Sequence, residues 1–387
     1  MKLLLILEHH FFKDTQGKVW CDRIVDYDYL KRYLLSFEEV IVCARMKQVT
    51  TVSATWKQSS GPHISFCPLP DFQGALVSLK NVFHIRKIVK NALTQADVCL
   101  LRTPSPISIL AYAAVKHSSK PFGLEMVMAA DRMFEKINLS SKIVNKALDR
   151  YVQSMCLEAK GVAYVTNHIL QEKYPTRGFT ASYSSIDLIA DCFYTPSWQE
   201  KPDVFTLVHT GYMDNTRKGQ GVLLEATALL RKKGYPIQVL LIGDGARRHE
   251  LEKLTEQLNI SSVVTFTGAI NDRSALLKKL QQAHLFVLPS KAEGLPRAIL
   301  EAMAVGLPCV ASDVDGIPEL LEPSCLVHGF NPQDYANSIA YLLDNWDEMK
   351  RQSERNFKLA QEFEKSKLDY KRKQFYDQLS LLTKEHE

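Results

Sequence analysis

Short apolar runs alternate with segments of helical periodicity along the whole 387-residue chain. This alternation is typical of parallel α/β layers, in which each strand is followed by a helix that packs on the sheet. It stops in the Pro-, Ser- and charge-containing segment 191–203 and then restarts. The sequence therefore predicts an α/β fold with two doubly wound, Rossmann-like domains, over residues 1–190 and 200–360.

Strands are predicted from the β-branched and Leu-rich runs. In the first half these are Leu3–Leu7, Glu39–Ala44, Val98–Arg102, Phe122–Val127 and Gly161–Val165. In the second half they are Thr206–Thr210, Gln238–Ile242, Val263–Thr267, His284–Pro289 and Pro308–Ser312. Helices are predicted between the strands, among them Tyr27–Ser36, and a long amphipathic helix over Glu348–Thr383 is expected to reach across both domains.

Composition limits the classes of protein that fit. The first apolar run is shorter than the ~7–15 residues of a signal-peptide core, and no run approaches the ~18 of a membrane-spanning helix. The eight cysteines form no CxxC pair and the eleven histidines show no HxxH or HExxH spacing. We therefore expect a cytosolic protein with reduced thiols and no zinc site.

Charge is spread unevenly along the chain. Residues 1–195 carry 24 Lys and Arg against 17 Asp and Glu, whereas 196–387 carry 24 against 26. The basic first half favours an anionic neighbour, which is a membrane surface, a phosphate-bearing substrate or nucleic acid.

Two strand-to-helix turns of the second half carry phosphate-binding features. In "HTGYMDNTRKGQ", Gly211 ends a strand, and Arg217 and Lys218 precede a helix whose free N–H groups favour an anion. A solvated basic loop is the alternative. In "IGDGARR", Gly243 and Gly245 form half of a dinucleotide fingerprint, for which an ordinary tight turn is an equally good explanation.

The turn "PSKAEGLPRAILEAMAVGLP" is the most informative stretch, because it sets Glu293 and Glu301 eight positions apart. A helix beginning near Leu295, with Pro296 in its first turn, would separate the carboxylates by about 12 Å along its axis. That is about the length of a sugar nucleotide, whose hydroxyl pairs suit carboxylate acceptors. A surface carboxylate with a helix-capping one is the alternative, but Glu301 lies among apolar residues and should then need a specific partner.

These residues resemble the retaining glycosyltransferases of family 4, also called glycosyltransferase group 1, of the type that builds bacterial surface polysaccharides. The E-x7-E signature is matched by Glu293 and Glu301, and the ordered motifs continue over about 205–322. The first half resembles the family more loosely. The resemblance implies the GT-B fold, in which two Rossmann-like domains face each other across a cleft and a C-terminal helix, here about 360–387, returns to the first domain.

The resemblance also implies roles for individual residues. Glu301 would bind the ribose hydroxyls, Glu293 would bind the transferred sugar, and Lys218 with Arg217 would bind the diphosphate and stabilise the departing nucleotide. The remaining donor-binding residues would be glycines and backbone groups of the same turns, namely Gly211, Gly243, Gly245, Ala269, Gly294, Leu295 and Pro296. The proposed catalytic residues are thus Glu293, Lys218 and Arg217.

The sequence departs from the family at two places. Tyr212 stands where an arginine usually contacts the phosphates, and we hypothesise that Arg217 supplies that charge from a shifted position. The segment Ser184–Asp187 replaces a common Asn-Gly-Val-Asp, so no role is assigned to it.

Candidate acceptor-binding residues in the first half follow predicted strands. They are Gly17, His9, His10, Arg102 and Asp131. An ordinary turn is as good an explanation of Gly17, and packed or solvated histidines are the commoner outcome for the other two positions.

A metal is not expected. The two Asp-x-Asp triplets, at 26–28 and 313–315, fit a helix cap and a turn, and the cations of the phosphate site make a divalent ion unnecessary. No cofactor is predicted either, since the nucleotide-sugar is a substrate.

Two helices of the first half carry basic residues. One predicted stripe is Lys142, Lys146 and Arg150, and the other group is Lys80, Arg86, Lys87 and Lys90. They fit either two solvated faces or a peripheral surface for anionic lipid, and they lack the interleaved aromatics of a nucleic-acid platform.

The sequence predicts a glycosyltransferase that moves a sugar from a UDP- or GDP-linked donor to a glycan or lipid-linked saccharide. The alternatives are a dehydrogenase, which Arg248 opposes at the third glycine position, an epimerase or phosphorylase of the same fold, and a non-catalytic relative.

Overall fold

The computed structural model describes residues 1–22, 24–72, 81–133, 139–195 and 200–383, with the side chains of 139 and 140 excepted. The chain divides into two compact units. The first unit comprises residues 1–183 and 369–387, and the second comprises 184–368. The division thus falls at 183/184, so residues 184–190 lie in the second unit.

The first unit is built on a sheet of nine strands in the described residues. They are β1 (Lys2–Lys13), β2 (Val19–Cys21), β3 (Glu39–Gln48), β4 (Lys57–Gln58), β5 (Ile64–Leu69), β6 (Val98–Thr103), β7 (Phe122–Met126), β8 (Gly161–Tyr164) and β9 (Phe179–Ser182). The parallel strands run β5-β3-β1-β6-β7-β8-β9, and the order reverses between β1 and β6. Strands β2 and β4 add an antiparallel extension beside the far end of β1.

The second unit has a six-stranded sheet that is parallel throughout. Its strands are β10 (Phe205–Thr210), β11 (Ile237–Ile242), β12 (Val264–Gly268), β13 (Leu285–Leu288), β14 (Cys309–Ser312) and β15 (Leu326–Val327). The order β12-β11-β10-β13-β14-β15 is that of a Rossmann fold, with the switch point between β10 and β13. All residues of β10 and β13 are buried, as expected for strands covered on both faces.

Helices follow most of the strands. In the first unit they are α1 (Tyr27–Leu30), α2 (Val82–Leu93), α3 (Pro106–Lys116), α4 (Leu139–Glu158) and α5 (Ile169–Lys173). In the second unit they are α6 (Gln220–Lys232), α7 (Arg248–Gln257), α8 (Arg273–Gln281), α9 (Arg297–Ala304), α10 (Pro332–Asp344) and α11 (Trp346–Ala360). The last helix, α12 (Lys365–Leu381), begins in the second unit and passes into the first at Asp369.

The predicted α/β class and the two Rossmann-like sheets are confirmed, but two long helices were predicted wrongly. The segment Tyr27–Ser36 is the single turn α1 followed by a 3-10 helix over Lys31–Leu35. The tail is not one helix, because a 3-10 turn and the extended residue Glu364 separate α11 from α12. The backbone N–H of Lys365 donates to the carbonyl of Leu188 at this break.

Strand β5 was missed because Pro68 lies within it. A proline cannot donate to a ladder and is therefore confined to edge strands or strand ends. β5 is an edge strand that pairs only with β3, so the proline is accommodated there.

All eight cysteines are free thiols, and seven of them are buried. In the part of the chain that the structure describes, no helix combines the length and the apolar character needed to cross a membrane.

Candidate functional site

The switch point of the second sheet brings two loops together. Gly219 precedes α6 with a φ of 73°, and a Cβ at this position would overlap the carbonyl oxygen of Pro289. Only glycine therefore allows this approach. The contact is fixed by the carbonyl of Arg217, which accepts from the backbone N–H of Lys291 at 2.7 Å and from the hydroxyl of Ser290 at 3.1 Å.

Lys218 and Glu293 meet across these two loops. The Nζ of Lys218 donates to the Oε1 of Glu293 at 2.6 Å, and the carboxylate is 9% exposed while the ammonium is 24% exposed. The structure thus pairs the predicted phosphate-binding cation with the predicted sugar-binding carboxylate. The ammonium has further N–H donors for an anion beside Glu293.

Asp315 holds the Glu293 loop and was not predicted to belong to the site. Its Oδ2 accepts from the backbone N–H of Glu293 at 2.8 Å, and Gly316 N–H donates to the carbonyl of Gly294 at 3.0 Å. Asp315 has a φ of 48°, a left-handed conformation that Asp tolerates better than most residues. The sequence analysis assigned the triplet 313–315 to a turn, and the Asp-Gly pair after β14 was the signal for it, but the contact of Asp315 with the Glu293 loop was not predicted.

Glu301 lies in α9 and is 8% exposed. Among the described residues, none forms a hydrogen bond or an ion pair with its carboxylate, so the specific partner expected for Glu301 stays a prediction. Burial raises the pKa of Glu301, and the positive charges of Arg297, Arg273 and Lys218 partly oppose that rise. A buried carboxylate in this state can accept hydrogen bonds from a ligand.

The geometry between the two glutamates also differs from the prediction. Pro296 is the N-cap of α9 and not a residue of its first turn. Glu293 lies four residues before the first residue of the helix. The helical rise per residue therefore does not apply to all eight positions between Glu293 and Glu301, and the separation of about 12 Å along one helix axis cannot be calculated in that way. Leu295 and Pro296 are buried, while Gly294 is partly exposed.

His209 is a buried residue of β10 that the sequence analysis did not identify. Its Nδ1 lies 2.9 Å from the carbonyl oxygen of Val287, and its Nε2 has no hydrogen-bond partner among the residues that the structure describes. Burial lowers the pKa of His209 to about 4, with a smaller contribution from the charge of Lys218. The neutral ring therefore donates from Nδ1 and presents Nε2 as an acceptor. The position of this histidine inside the apolar run "TLVHTG" could have indicated a buried imidazole.

The space beside Gly211 lies between His209 and Lys218. A Cβ on Gly211 would approach the Cγ of Lys218 at 3.1 Å and the Nε2 of His209 at 3.2 Å. Tyr212, which replaces the family arginine, is 50% exposed. Arg217 is half-buried, and its backbone N–H donates to the Oδ1 of Asn215.

Gly243 and Gly245 pack against the Gly211 loop. Their φ angles are 144° and 156°, and a Cβ on Gly243 would overlap the carbonyl oxygen of Gly211. Gly243 N–H also donates to the carbonyl of Gly268 at 3.0 Å, next to the exposed Ala269. The glycines therefore bring three loops of the second unit together, namely those after β10, β11 and β12.

The acceptor-region candidates of the first unit have separate sets of partners. His10 pairs with Asp71, Arg102 with Glu125 at 3.1 Å, and Asp131 with Lys173 at 2.6 Å. His9 contacts the ring of Phe11 edge-on, with the ring centroids 4.6 Å apart. Gly17 has a φ of 83° and donates to the carbonyl of Asp14 at 3.1 Å, and a Cβ there would meet only Lys13 Cε at 4.0 Å. Gly17 is thus a turn residue in open space.

In the described ranges, no three His, Cys, Asp or Glu side chains are grouped as metal ligands. Asp313 pairs with His328 at 2.8 Å, and Asp26 caps α1 by accepting from Tyr29 N–H. These contacts account for two carboxylates of the Asp-x-Asp triplets.

Part of the chain matches a family of glycosyltransferases. Residues 195–359 match the family described as Glycosyl transferases group 1. The chain is 28% identical over 312 residues to protein CapJ of Staphylococcus aureus, covering 78% of this chain and 76% of CapJ. It is 34% identical over 134 residues to the amylovoran biosynthesis glycosyltransferase AmsK of Erwinia amylovora, covering only 33% and 32% of the two chains.

A solved structure shows the same fold. HepE of Anabaena, determined in complex with UDP, superposes with a TM-score of 0.66 over 98% of this chain and 100% of HepE, at 16% identity. The resemblance extends over both units, including the first unit, where the sequence resemblance is looser.

Proposed function

Since residues 195–359 match the family described as Glycosyl transferases group 1, we propose that this protein is a glycosyltransferase of polysaccharide biosynthesis that moves a sugar from a nucleotide-sugar to a saccharide with retention of anomeric configuration. The observation that carries the proposal is the grouping of the Lys218–Glu293 pair with the unpartnered Glu301 around the switch point of the second sheet.

The donor is a nucleoside diphosphate sugar. Lys218 and Arg217, which precede the N-terminus of α6, supply positive charge for the diphosphate, and the helix adds the positive end of its dipole. Glu301 accepts hydrogen bonds from the ribose hydroxyls, which provide the donors that the described residues do not. Gly268 and Ala269 lie beside the base. UDP is the first nucleotide to test, because HepE was crystallised with UDP, and GDP is the second.

The chemical step needs no group beyond the donor and the acceptor hydroxyl. The bond between the anomeric carbon and the diphosphate oxygen breaks with its electron pair on oxygen, while the acceptor oxygen bonds to the same face of that carbon. The acceptor proton passes to the departing diphosphate. Lys218 and Arg217 stabilise the negative charge that develops there, and Glu293 orients the sugar and stabilises positive charge at its ring.

His209 lies beside this site in its neutral state, and its Nε2 is a hydrogen-bond acceptor near Gly211. Because phosphate oxygens are also hydrogen-bond acceptors, this nitrogen cannot bind the diphosphate directly. We therefore assign His209 to the packing behind the Gly211 loop and not to a contact with the phosphates.

The acceptor is a glycan or a lipid-linked saccharide. Support comes from AmsK, which is described as an amylovoran biosynthesis glycosyltransferase. This chain covers only 32% of AmsK, so the acceptor class depends on the experiments below.

The test is a panel of nucleotide-sugars, screened first for thermal stabilisation and then for transfer, with the anomeric configuration of the product read by NMR. Glu293→Gln and Lys218→Ala are expected to lower turnover by about a hundredfold or more, as loss of a transition-state contact does. Lys291→Ala is the matched control, since this exposed lysine of the neighbouring loop contacts only Thr216 Oγ1 and the backbone of Arg217.

Four outcomes would overturn all or part of the proposal. An inverted product rules out retention. Donor binding without hydrolysis or transfer identifies a non-catalytic relative, and unchanged kinetics in both variants removes the roles of Glu293 and Lys218. Stabilisation by NADH alone would favour a dehydrogenase.

We also propose that the first unit binds the cytoplasmic face of an anionic membrane. Lys142, Lys146 and Arg150 are exposed along α4, and Ile143 beside them is 63% exposed. On α2, Lys87 and Lys90 are exposed and Phe83 is 82% exposed, whereas Arg86 is half-buried and Lys80 lies outside the described residues. Exposed apolar side chains beside cations are typical of an interfacial surface.

Flotation with liposomes tests this surface. The protein is expected to float with vesicles containing phosphatidylserine at low salt, and the Lys142→Glu/Lys146→Glu variant is expected to stay at the bottom. The matched control is Lys253→Glu/Lys358→Glu, which reverses two exposed lysines of the second unit. Equal flotation with neutral and anionic vesicles would contradict an electrostatic contribution.

A further inference from the structure

The pairing of strand β1 with β3 contains a bulge near the carboxyl end of β1. In its pairing with β3, Ile6 faces Cys43 and His10 faces Arg45, so four steps along β1 match two along β3. Such irregularities occur next to functional sites, where they redirect side chains. This irregularity lies at the switch point of the first sheet, where parallel α/β sheets bind ligands.

His10 follows the irregularity and is held by Asp71. Its Nδ1 lies 2.6 Å from the Oδ1 of Asp71, and the two side chains are 34% and 31% exposed. A carboxylate at Nδ1 fixes the proton on that nitrogen and leaves Nε2 as an acceptor. Nε2 makes no hydrogen bond to any residue that the structure describes, and the ring is accessible to a ligand.

A buried arginine holds the backbone next to Asp71. Arg45, 8% exposed, donates from Nη1 to the carbonyl of Phe72 at 2.7 Å and forms an ion pair with Glu8 of β1. Glu8 Oε2 also accepts from the backbone N–H of Ile107 in α3. The charge of Arg45 is thus paired within the protein, and the carboxylates nearby disfavour an anionic ligand.

An aromatic pair lies one step further along the same face of β1. Side chains alternate along a strand, so His10 and Phe12 share a face and lie about 6.6 Å apart. Phe12 stacks on Trp56 with ring centroids 4.0 Å apart and an interplanar angle of 14°, and both residues are only half-buried. An uncharged hydrogen-bond acceptor beside aromatic surface suits a neutral ring that carries hydroxyls and apolar C–H groups.

We propose that His10, Phe12 and Trp56 form a saccharide subsite of the first unit. The Nε2 of His10 accepts a hydrogen bond from a hydroxyl of the acceptor sugar, and the aromatic pair packs on its C–H face. Asp71 is a positioning residue for the imidazole. The proposal rests on the proposed function, because it names the part of the molecule that binds the acceptor of that reaction.

The first test measures binding without turnover. Saturation-transfer NMR on the full-length protein, with methyl glycosides of glucose, galactose, mannose and N-acetylglucosamine as probes, is expected to show binding of at least one of them. His10→Ala and Trp56→Ala are expected to weaken it about tenfold, the loss of one net hydrogen bond or packing contact. His117→Ala, which removes an exposed histidine at the end of α3, is the control.

The second test separates this subsite from the donor site. With the donor found in the panel, His10→Ala and Asp71→Asn are expected to raise the acceptor KM about tenfold with a smaller change in kcat, and His10→Gln is expected to recover part of the loss. A His10→Ala variant that unfolds like the wild type yet keeps its glycoside affinity and acceptor KM would overturn the subsite. A wild type that neither binds nor turns over any nucleotide-sugar would instead refute the proposed function, and the glycoside titration would still decide the subsite.

Discussion

Each unit of the molecule contains a buried glutamate whose hydrogen-bonding environment can be compared, and Glu125 and Glu301 are opposite cases. Glu125, on β7 of the first unit, is 4% exposed, and Glu301, on α9 of the second unit, is 8% exposed. Glu125 accepts from the hydroxyls of Tyr33, Tyr183 and Tyr376 at 2.8–3.0 Å and from Arg102. Glu301 has none of these partners among the described residues.

The neighbouring pKa values reflect the difference. In the first unit, burial raises the pKa values of the three tyrosines, and the charge of Glu125 adds to that rise. In the second unit, burial raises the pKa of the carboxylate itself. A fully hydrogen-bonded buried carboxylate stabilises structure, whereas one without donors weakens the fold and remains available to a ligand.

The Glu125 cluster also explains why Arg102 need not contact a ligand. Arg102 and Glu125 face each other in the register of β6 and β7, and Tyr376 brings α12 to the same carboxylate. The cluster therefore holds the end of the chain on the first sheet, which is a structural role. Disrupting this cluster should lower the free energy of unfolding more than any other change considered in the two units.

Glu125→Ala should destabilise the first unit by about 3–5 kcal/mol, because it leaves a half-buried guanidinium and three buried hydroxyls without their acceptor. Urea unfolding followed by tyrosine fluorescence measures the effect. Glu172→Ala, at an exposed position of α5, is the control and should change the midpoint little. A Glu125→Ala protein with the wild-type midpoint would show that the cluster contributes no stability.

His209 gives a test in the second unit, where a buried group again lacks one partner. Its pKa falls from 6.5 to about 4 on folding, mainly through burial, so between these values the unfolded chain binds more protons than the native protein. Stability is therefore complete above pH 6.5 and is lost as the pH falls towards 4, by about 2 kcal/mol at pH 5.

The comparison variant is His209→Asn, whose amide can still donate to the carbonyl of Val287. Between pH 7 and pH 5 the wild type should lose about 2 kcal/mol more than this variant. His249→Asn, which removes an imidazole that is 78% exposed, should follow the wild-type profile. Parallel profiles for the wild type and His209→Asn would contradict the lowered pKa.

Glu301→Gln should separate stability from function. Because the native pKa is raised, the native protein binds more protons than the unfolded chain above pH 4.5, and stability falls as the pH rises through the native pKa. At neutral pH the variant should have a higher Tm than the wild type, yet bind the donor about tenfold more weakly, since a neutral amide is a poorer acceptor for the ribose hydroxyls.

Donor titration by differential scanning fluorimetry reports both quantities in one experiment. The control is Glu256→Gln, at an exposed position of α7. A Glu301→Gln variant with lower Tm and unchanged donor affinity would show that Glu301 has a protein partner and no ligand role. Glu301 would then be a structural carboxylate like Glu125.

The same contrast explains how much of the site could be predicted from the sequence. In the second unit, the Lys218 and Glu293 loops each lie within a few residues of a buried strand and a glycine, so local patterns located them. The class of fold followed from the alternation of strands and helices, as both sheets confirm.

Long-range pairs were not predictable in this way. His10 and Asp71 are 61 residues apart, and Glu125 and Tyr376 are 251 apart. Their meeting depends on strand register and on the return of α12 to the first unit, which no local pattern contains. The break at Glu364 was missed for a similar reason, since it depends on the distant backbone of Leu188.

The smallest expected effect concerns Gly17 of the first unit, for which close approach to an acceptor was one interpretation. Gly17 has a φ of 83°, and Gly234, at the end of α6 in the second unit, has a φ of 87° with no atom within 4 Å of an added Cβ. Gly17→Ala and Gly234→Ala should each cost about 1 kcal/mol, the penalty of a left-handed alanine, and neither should alter the acceptor KM. Urea unfolding and transfer kinetics on the two variants measure this. If Gly17→Ala raised the acceptor KM while Gly234→Ala did not, the hairpin between β1 and β2 would contact the acceptor, and the subsite at His10 would have to extend to that turn.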